Sequence, residues 1–242
     1  MRQFKVLGMP VHIHENYSDW LAQRLQANQG AHVVTLNAEM TMQARKDQDL
    51  ANVIHQAELV VPDGSGIVLY LRSQGEEIDR CPGIELSERV VQVAAEQQWQ
   101  IFLIGGAPGI VDIVGTKWQQ QWANIAIAGM HHGYFDEENE QQICEQLKSL
   151  QPQLILVGLG VPRQELWIQK YRHLCPKSIW IGVGGSFDIW AGKKNRAPKW
   201  LGDNNLEWLY RLYQEPWRWR RMMSLPHFVW CVTKESLVSQ KR

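Results

Sequence analysis

Residues 59 to 66 read Leu59-Val60-Val61-Pro62-Asp63-Gly64-Ser65-Gly66, and the rest of the chain can be interpreted outward from them. The apolar, β-branched start predicts a short buried strand. Proline cannot donate a hydrogen bond to a sheet ladder, so the strand is expected to stop there, and Gly64 to Leu71 reads as the start of a helix. Asp63 is therefore expected at the carboxyl end of a strand, where ligands bind in open α/β sheets. The alternative is that Asp63 only caps the following helix, as aspartate often does.

Short apolar strands alternate with amphipathic helices on both sides of this stretch, up to about residue 190. Further strands are expected at 33–37, 101–104, 125–128, 154–157 and 178–183, with an edge strand or hairpin at 6–13. Helices are expected at, among others, 17–26, 38–57 and 137–150. This alternation predicts an α/β protein with a mainly parallel, Rossmann-like sheet sandwiched by helices.

The composition changes beyond Ala191, so we divide the chain into an α/β domain at 1–192 and a C-terminal helical, basic and aromatic appendage at 193–242. The appendage has 11 Lys and Arg against 4 Asp and Glu, whereas residues 1–192 have 14 against 21. A basic segment on an acidic body indicates an anionic partner, which could be nucleic acid, acidic lipid or a phosphorylated substrate. The interleaved Trp and Arg of 216–221 suit a membrane surface, and an amphipathic helix packed on the body is an equal alternative.

The cysteines and the hydropathy pattern indicate the cellular compartment of the protein. Its four cysteines form no Cys-x-x-Cys pair, so neither a zinc site nor a disulfide framework is expected. We therefore expect the protein in a reducing compartment. No stretch resembles a signal peptide or approaches the ~18 apolar residues of a spanning helix. We therefore expect a cytoplasmic protein.

Polar side chains follow two successive predicted strands. Thr35 and Asn37 end one of them, and Asp63 follows the next. If these strands are neighbours in a parallel sheet, their polar groups converge at one edge. Arg80 lies in the turn before a later helix, where an arginine is either a surface cation or a clamp for an anion.

Glycine-rich segments follow three other strands and expose backbone N–H groups at helix starts. The first of these segments contains Gly105, and the last contains Gly184 and Gly185 and continues to Asp188. Such sites attract phosphate without a metal ion.

Two motifs that would indicate a metal or a dinucleotide are weak. Asp47-Gln48-Asp49 has the Asp-x-Asp pattern of a divalent-metal site, but it falls inside the predicted helix 38–57, where residues i and i+2 point apart. Gly158-Leu159-Gly160 opens like a dinucleotide fingerprint, but Arg163 stands where its third glycine or alanine should be. We expect neither a metal nor a cofactor.

Eight motifs, in their order and spacing, resemble those of the WecG/TagA/CpsF family of glycosyltransferases (family 26). The resemblance covers nearly the whole chain. The motifs are Thr35–Glu39, Val61–Gly66, Gly133–Phe135, Gly160–Glu165, Gly182–Asp188, Arg196–Pro198, Leu206–Leu212 and Glu215–Arg218. The chain departs from the family pattern at Cys81-Pro82 and at Arg163, where lysine is usual.

The resemblance implies a reaction and a set of site residues. The reaction is metal-independent, inverting transfer of an N-acetylhexosamine-type sugar, foremost N-acetylmannosamine, from a UDP-sugar to undecaprenyl-diphosphate-linked N-acetylglucosamine in cell-surface polymer synthesis. Asp63 would be the catalytic base, Thr35 would orient a substrate beside it, and further residues would bind substrate. These are Asn37, Arg80, Gly105, Gln164, Gly184, Gly185, Asp188 and the appendage residues Arg211, Arg218 and Arg221, which would close over the diphosphate.

The same resemblance implies a location and partners. The appendage would dock on the anionic inner face of the cytoplasmic membrane, and a homo-oligomer could also cover its aromatic residues. The basic appendage then needs no nucleic acid to explain it. Two other functions are compatible with the pattern: an NAD-dependent nucleotide-sugar oxidoreductase or epimerase, and a non-catalytic scaffold recruited to the membrane.

Overall fold

The computed structural model describes residues 1–198, 200–201 and 206–239, without the side chains of 207, 211, 218, 221 and 236–239. It contains a six-stranded sheet, in which every pair of neighbouring strands is parallel, and a separate two-stranded antiparallel hairpin. The predicted parallel α/β class is confirmed. The strands are β1 (Arg2–Val6), β2 (Met9–Ile13), β3 (Ala31–Leu36), β4 (Leu59–Pro62), β5 (Gln100–Gly105), β6 (Ala126–His131), β7 (Leu154–Gly158) and β8 (Ile179–Gly182).

Helices follow most of the strands. They are α1 (Tyr17–Gln26), α2 (Ala38–Ala44), α3 (Gln48–Gln56), α4 (Ser65–Ser73), α5 (Gly83–Glu96), α6 (Ile110–Gln121), α7 (Glu137–Leu150), α8 (Arg163–Tyr171), α9 (Ser186–Trp190), α10 (Glu207–Gln214), α11 (Trp219–Met222) and α12 (Ser224–Ser239). Short 3₁₀ turns lie at Arg172–Leu174 and Pro216–Arg218.

The strands of the large sheet lie in the order β4-β3-β8-β7-β5-β6. The last strand in the chain, β8, is therefore inserted between β3 and β7. Because side chains alternate between the two faces of a strand, Val33 and Val34 enter clusters on opposite faces. Helices α1, α5, α6 and α9 cover one face, and α2, α3, α4, α7, α8 and α12 cover the other. The sheet is sandwiched by helices, as predicted.

The single helix expected at 38–57 is two helices, α2 and α3. Asp47 is the N-cap of α3, and its Oδ1 accepts hydrogen bonds from the backbone amides of Asp49 and Leu50, both at 3.1 Å. The expectation that Asp47-Gln48-Asp49 lies within a helix is therefore wrong at its first residue. The Asp47 side chain caps the second helix, because aspartate accepts hydrogen bonds from the free backbone N–H groups at a helix start.

The N-terminal hairpin covers an edge of the large sheet. Strand β4 is at that edge, and the Val60 amide donates a hydrogen bond to Nδ1 of His12 on β2, at 2.9 Å. The hairpin thus satisfies an edge N–H group that would otherwise be open to pairing with another chain.

The C-terminal helix α12 packs on α2 and α4. Phe228, Cys231 and Val232 are buried in the same cluster as Ile67 of α4, and the Phe228 ring lies close to Gly66, where a Cβ would be 3.4 Å from it. The opposite side of the appendage exposes large apolar residues: Trp217, Trp219, Met223, Val229 and Trp230. Within the described ranges, no helix is both long and apolar enough to span a membrane.

Candidate active site

A cavity of about 150 Å³ opens at the carboxyl ends of β3, β4 and β8. Thr35, Asp63 and Gln164 line it from the body, together with Gly184 and Gly185. The segment after α9 covers it, and the part of that segment lining the cavity is Lys194, Asn195, Arg196 and Ala197. The cavity lies where ligands bind in open α/β sheets.

Asp63 is held by the backbone of two other segments. Its amide donates to the Leu36 carbonyl oxygen at 3.0 Å, and its Oδ1 accepts from the amide of Gly83, the first residue of α5, at 2.9 Å. The residue that caps α4 is Gly64, which supplies no side-chain hydrogen bond. The alternative in which Asp63 only caps the following helix is therefore wrong.

Thr35 lies beside Asp63, because β3 and β4 are neighbours with Thr35 opposite Val61. Its hydroxyl faces the Gly182 carbonyl oxygen of β8 at 3.4 Å, and its methyl group faces Gly83. A Cβ on Gly83 would lie 2.7 Å from that methyl carbon, so a larger residue would displace the amide that holds Asp63.

Gln164 is 2% exposed at the start of α8, and its side chain has three hydrogen bonds. Its Oε1 accepts from the amides of Gly160 at 3.2 Å and Gly184 at 3.0 Å, and its Nε2 donates to Oε1 of Glu165 at 2.9 Å. The other carboxylate oxygen of Glu165 is 2.7 Å from Nε2 of His32, and both side chains are fully buried. Neither His32 nor Glu165 was among the candidate residues of the sequence analysis.

A second cavity, of about 100 Å³, lies on the other side of Asp63. Asn37 and Asp63 line both cavities. Asn37 also caps α2 by accepting from the Met40 amide at 2.9 Å. Arg80 lines the second cavity and not the first, together with residues of the appendage: Trp208, Met222, Ser224 and Leu225.

Two other candidate residues lie outside both cavities. Gly105 ends β5, where its φ of +145° and its contact with the Gly158 carbonyl require the absence of a side chain. Asp188 forms an ion pair with Lys194 at 2.8 Å, and Lys194 also pairs with Glu215 at 3.0 Å. Burial alone would lower the pKa of Lys194, but these two carboxylates outweigh it and raise the pKa, so the ammonium group stays charged.

A family model described as "Glycosyl transferase WecG/TagA/CpsF family" matches residues 4–242. The chain belongs to this family of glycosyltransferases. It is similar to the N-acetylglucosaminyldiphosphoundecaprenol N-acetyl-beta-D-mannosaminyltransferase of Bacillus subtilis (strain 168), with 38% identity over 207 residues, or 85% of this chain and 80% of the relative. Proteins of the same name from Bacillus spizizenii and Staphylococcus aureus (strain MW2) are 34% identical over 218 and 221 residues, which cover 90% and 91% of this chain and 84% and 85% of the relatives.

The family membership inferred from the sequence motifs is thereby confirmed, and the chain is a sugar-transferring enzyme. The comparisons give no support to the oxidoreductase or scaffold hypotheses.

The appendage of this WecG/TagA/CpsF glycosyltransferase reaches both cavities. Tyr210, Gln214 and Glu215 line the first, and Trp208 and Met222 line the second. The predicted arginines Arg211, Arg218 and Arg221 belong to α10, the second 3₁₀ turn and α11, and their side chains lie outside the described residues.

Other polar groups near Asp63 define what chemistry the site can offer. Burial, followed by the charge of Asp63, raises the pKa of the Cys81 thiol to about 12, so Cys81 is not a thiolate nucleophile at neutral pH. Among the described residues, no three His, Cys, Asp or Glu side chains are grouped to hold a metal ion. The site thus offers carboxylates, of which that of Asp63 lines both cavities, together with backbone amides and cationic side chains.

Proposed function

We propose that this enzyme transfers an N-acetylhexosamine-type sugar, foremost N-acetylmannosamine, from UDP to undecaprenyl-diphosphate-linked N-acetylglucosamine, with inversion and without a metal. The observation that carries the proposal is the position of Asp63 between two cavities. A base that takes a proton from the acceptor must lie where donor and acceptor meet. The names of the relatives supply the donor sugar and the lipid-linked acceptor.

The reaction is a single displacement. The acceptor hydroxyl oxygen forms a bond to the anomeric carbon while the bond from that carbon to the UDP oxygen breaks, and UDP leaves with the electron pair. Asp63 takes the proton of the attacking hydroxyl. Its fixed hydrogen bond to the Gly83 amide supports this role, because a general base must be held in one orientation.

The leaving diphosphate gains negative charge, which the first cavity is suited to stabilise. Two cations line it, Lys194 in ion pairs with Asp188 and Glu215 and Arg196 in an ion pair with Glu85, and Gly184 and Gly185 bring backbone there without side chains. Cations and oriented N–H groups stabilise a developing anion most strongly in a site that excludes water. We assign the UDP-sugar to this cavity, and we propose that Arg211, Arg218 and Arg221 close over the diphosphate.

The second cavity is suited to the acceptor. Arg80 supplies a cation for its diphosphate, and Trp208, Met222 and Leu225 supply an apolar wall for the start of its lipid. The exposed tryptophans lie on the same appendage, with Trp217 71% and Trp230 61% exposed. We propose that residues 193–242 dock on the anionic inner face of the cytoplasmic membrane beside the catalytic domain 1–192. A homo-oligomer is the alternative cover for this aromatic surface.

Release of UDP tests the proposed reaction. A panel of UDP-sugars is supplied with and without lipid-diphosphate-linked N-acetylglucosamine, in EDTA, to the wild type, Asp63→Asn and the exposed control Asp49→Asn. We expect acceptor-dependent release from UDP-N-acetylmannosamine that persists in EDTA and in Asp49→Asn and is lost in Asp63→Asn, while UDP binding is retained. Undiminished turnover in Asp63→Asn would remove Asp63 from the base role, and absence of release from every donor would reject the proposed substrates.

A further inference from the structure

A buried chain of hydrogen bonds runs from the interior of the sheet to the first cavity. His32 on β3 contacts Glu165, Glu165 accepts from Gln164, and Gln164 lines the cavity. His32 and Glu165 are fully buried, and neither lines the cavity. Gln164 is the cavity-lining residue to which this pair is hydrogen-bonded.

The partners of Gln164 fix the orientation of its carboxamide. Its Oε1 accepts from two backbone amides and its Nε2 donates to a carboxylate, so exchanging the oxygen and nitrogen would create three unfavourable contacts. The second hydrogen on Nε2 has no hydrogen-bond partner among the described residues, and the Gln164 side chain belongs to the lining of the cavity.

The same carboxamide joins the ends of two strands. Gly160 follows β7 and Gly184 follows β8, and both donate to Gln164. Gly184 has a φ of +53°, in the left-handed region that favours glycine. The orientation of Gln164 therefore also sets the backbone of the segment that lines the cavity at Gly184 and Gly185.

The backbone of β8 leaves space for this arrangement. A Cβ on Gly182 would lie 2.4 Å from Oε1 of Glu165 and 2.5 Å from Nε2 of Gln164. The absence of a side chain at residue 182 thus allows the Gln164–Glu165 hydrogen bond to pass beside the strand.

Stability alone does not require this buried polar chain. Apolar side chains of similar volume often replace buried ionisable pairs without loss of stability, because no desolvation has to be offset. His32 also keeps a buried Nδ1 with no partner in the described part of the chain, which adds to the cost. Where all its other members are satisfied, such a network restricts the groups at its end to a single orientation.

We propose that Glu165 and His32 are positioning residues of the sugar transfer, which orient the Gln164 carboxamide toward the UDP-sugar. This inference rests on the proposed function, which assigns the donor to the first cavity. Loss of the Glu165 acceptor removes one of the three hydrogen bonds that hold the Gln164 side chain, which loosens the carboxamide and, with it, the support of the Gly184 segment. The Michaelis complex with the donor weakens, while the base Asp63 is untouched.

Steady-state kinetics of four variants test the proposal. Glu165→Met removes the acceptor for Gln164, whereas Glu165→Gln retains an oxygen that can accept from it. His32→Leu leaves Glu165 with Gln164 alone. Ser178→Ala is the matched control. It removes a buried hydrogen bond to the Pro152 carbonyl just before β8, at the end of that strand away from the cavity.

We expect KM for the UDP-sugar to rise about tenfold or more in Glu165→Met and about threefold or more in His32→Leu, with Glu165→Gln close to the wild type. A purely structural role would lower Tm and the amount of active enzyme, as expected for Ser178→Ala, and leave KM unchanged. Unchanged donor KM in Glu165→Met would overturn the proposal. If Glu165→Met does not accumulate as folded protein, an unchanged donor KM in His32→Leu would overturn the proposal instead.

The outcome is separable from that of the proposed function. If wild-type enzyme does not release UDP, the proposed substrates fail and these kinetics cannot support positioning. If the wild type is active and Asp63→Asn is not, the KM values of the variants decide the role of Glu165 and His32 alone.

Discussion

Asp63 and Thr35 both depend on a residue without a side chain. The Gly83 amide holds the Asp63 carboxylate at 2.9 Å, and the space beside the Gly83 Cα is filled by the Thr35 side chain. One glycine at the start of α5 therefore contacts both the proposed base and the threonine beside it. Crowding at this position is expected to act on both at once.

Gly83→Ala should reduce catalysis more than stability. The added Cβ lies 2.7 Å from the Thr35 methyl carbon, so the start of α5 must shift, and overpacking of this kind costs about 1–3 kcal/mol. We expect kcat to fall by about tenfold or more, because the shift moves the amide that orients Asp63. UDP release measured per folded molecule, with unfolding in urea alongside, checks this.

Val90→Ala is the control for Gly83→Ala, since Val90 is buried on the same helix away from both cavities. We expect it to lose comparable stability and to keep its kcat. Equal kcat values for the two variants would show that the Gly83 contact does not orient the base.

The positions of the candidate residues were predictable from the sequence where they follow strands. Thr35, Asn37 and Asp63 line the first cavity, and Gln164 joins them there. His32 and Glu165 were missed because they are 133 residues apart and touch only when β8 lies between β3 and β7. The one available signal was a histidine in an otherwise apolar strand. Gly105 packs against the Gly158 carbonyl and Asp188 pairs with Lys194, so neither lines a cavity. Their positions after strands do not by themselves distinguish them from residues that do.

At the scale of elements, the hairpin β1–β2 is connected to the large sheet through a titratable side chain. His12 accepts from the Val60 amide through Nδ1, so this nitrogen must be unprotonated. Burial lowers the pKa of His12 from its ordinary value of 6.5. Protonation is therefore coupled to attachment of the hairpin.

Stability should fall on acidification because of this contact. As pH drops below about 6.5, the unfolded chain takes up a proton on His12 before the folded chain does, so the contribution is complete above that pH and is lost toward the lower, folded-state pKa. We expect His12→Asn, whose Oδ1 can accept from Val60 at any pH, to reduce the slope of unfolding free energy between about pH 5 and 7. Urea unfolding at several pH values measures it.

His55→Asn provides the comparison, because His55 is exposed on α3. Its slope should match that of the wild type. If the slope of unfolding free energy against pH in His12→Asn equals that of the wild type and of His55→Asn, the hydrogen bond to Val60 is not coupled to proton uptake.

Element boundaries were predictable where capping residues or proline end the pattern. Helices α1 and α7 have the predicted bounds, Tyr17–Gln26 and Glu137–Leu150. The break between α2 and α3 was missed because apolar spacing continues across it, and only the hydrogen bonds of Asp47 reveal that a new helix begins. Periodicity indicates which face is buried, and it does not reveal a change of helix axis.

At the scale of the whole molecule, the appendage has one surface that packs on the body and another that is exposed. Phe228 of α12 is 2% exposed and packs with the core beside Ile67, whereas Trp230, two residues later, is 61% exposed. The charge asymmetry of the sequence predicted an anionic partner, and the alternative of a helix packed on the body describes the inner side of α12. The anionic partner stays a prediction.

Substitutions on these two surfaces should have opposite effects. We expect Phe228→Ala to lose about 3–5 kcal/mol of stability with little effect on binding of the folded enzyme to anionic vesicles. Trp230→Ala should keep stability within about 0.5 kcal/mol and weaken vesicle binding. Urea unfolding and vesicle sedimentation measure the two properties.

Vesicle binding should also weaken as salt is raised, since cations of the appendage face anionic lipid in the proposed docking. If Trp230→Ala instead changes the oligomeric state and leaves vesicle binding intact, the aromatic surface contacts a second copy of the chain. Urea unfolding and vesicle sedimentation are both done with the full chain.

The overall class was predictable from the alternation of strands and helices, and the strand order was not. Alternation does not reveal that β8 lies between β3 and β7, because that placement depends on packing between segments far apart in the chain. The pairing of Thr35 with Gly182, and of His32 with Glu165, follows from that placement. The motif resemblance indicated the same residues without indicating how they meet.

The central position of β8 has a consequence during synthesis on the ribosome. Half of the first cavity, with Thr35 and Asp63, is translated early, and Gln164 and Gly184 follow more than 90 residues later. Until β8 has emerged, β3 and β7 have no strand to join them, and the nascent chain presents two open strand edges. On the proposed assignment of the donor to the first cavity, an unfinished chain cannot bind the nucleotide, and truncated products should be inactive and prone to aggregate.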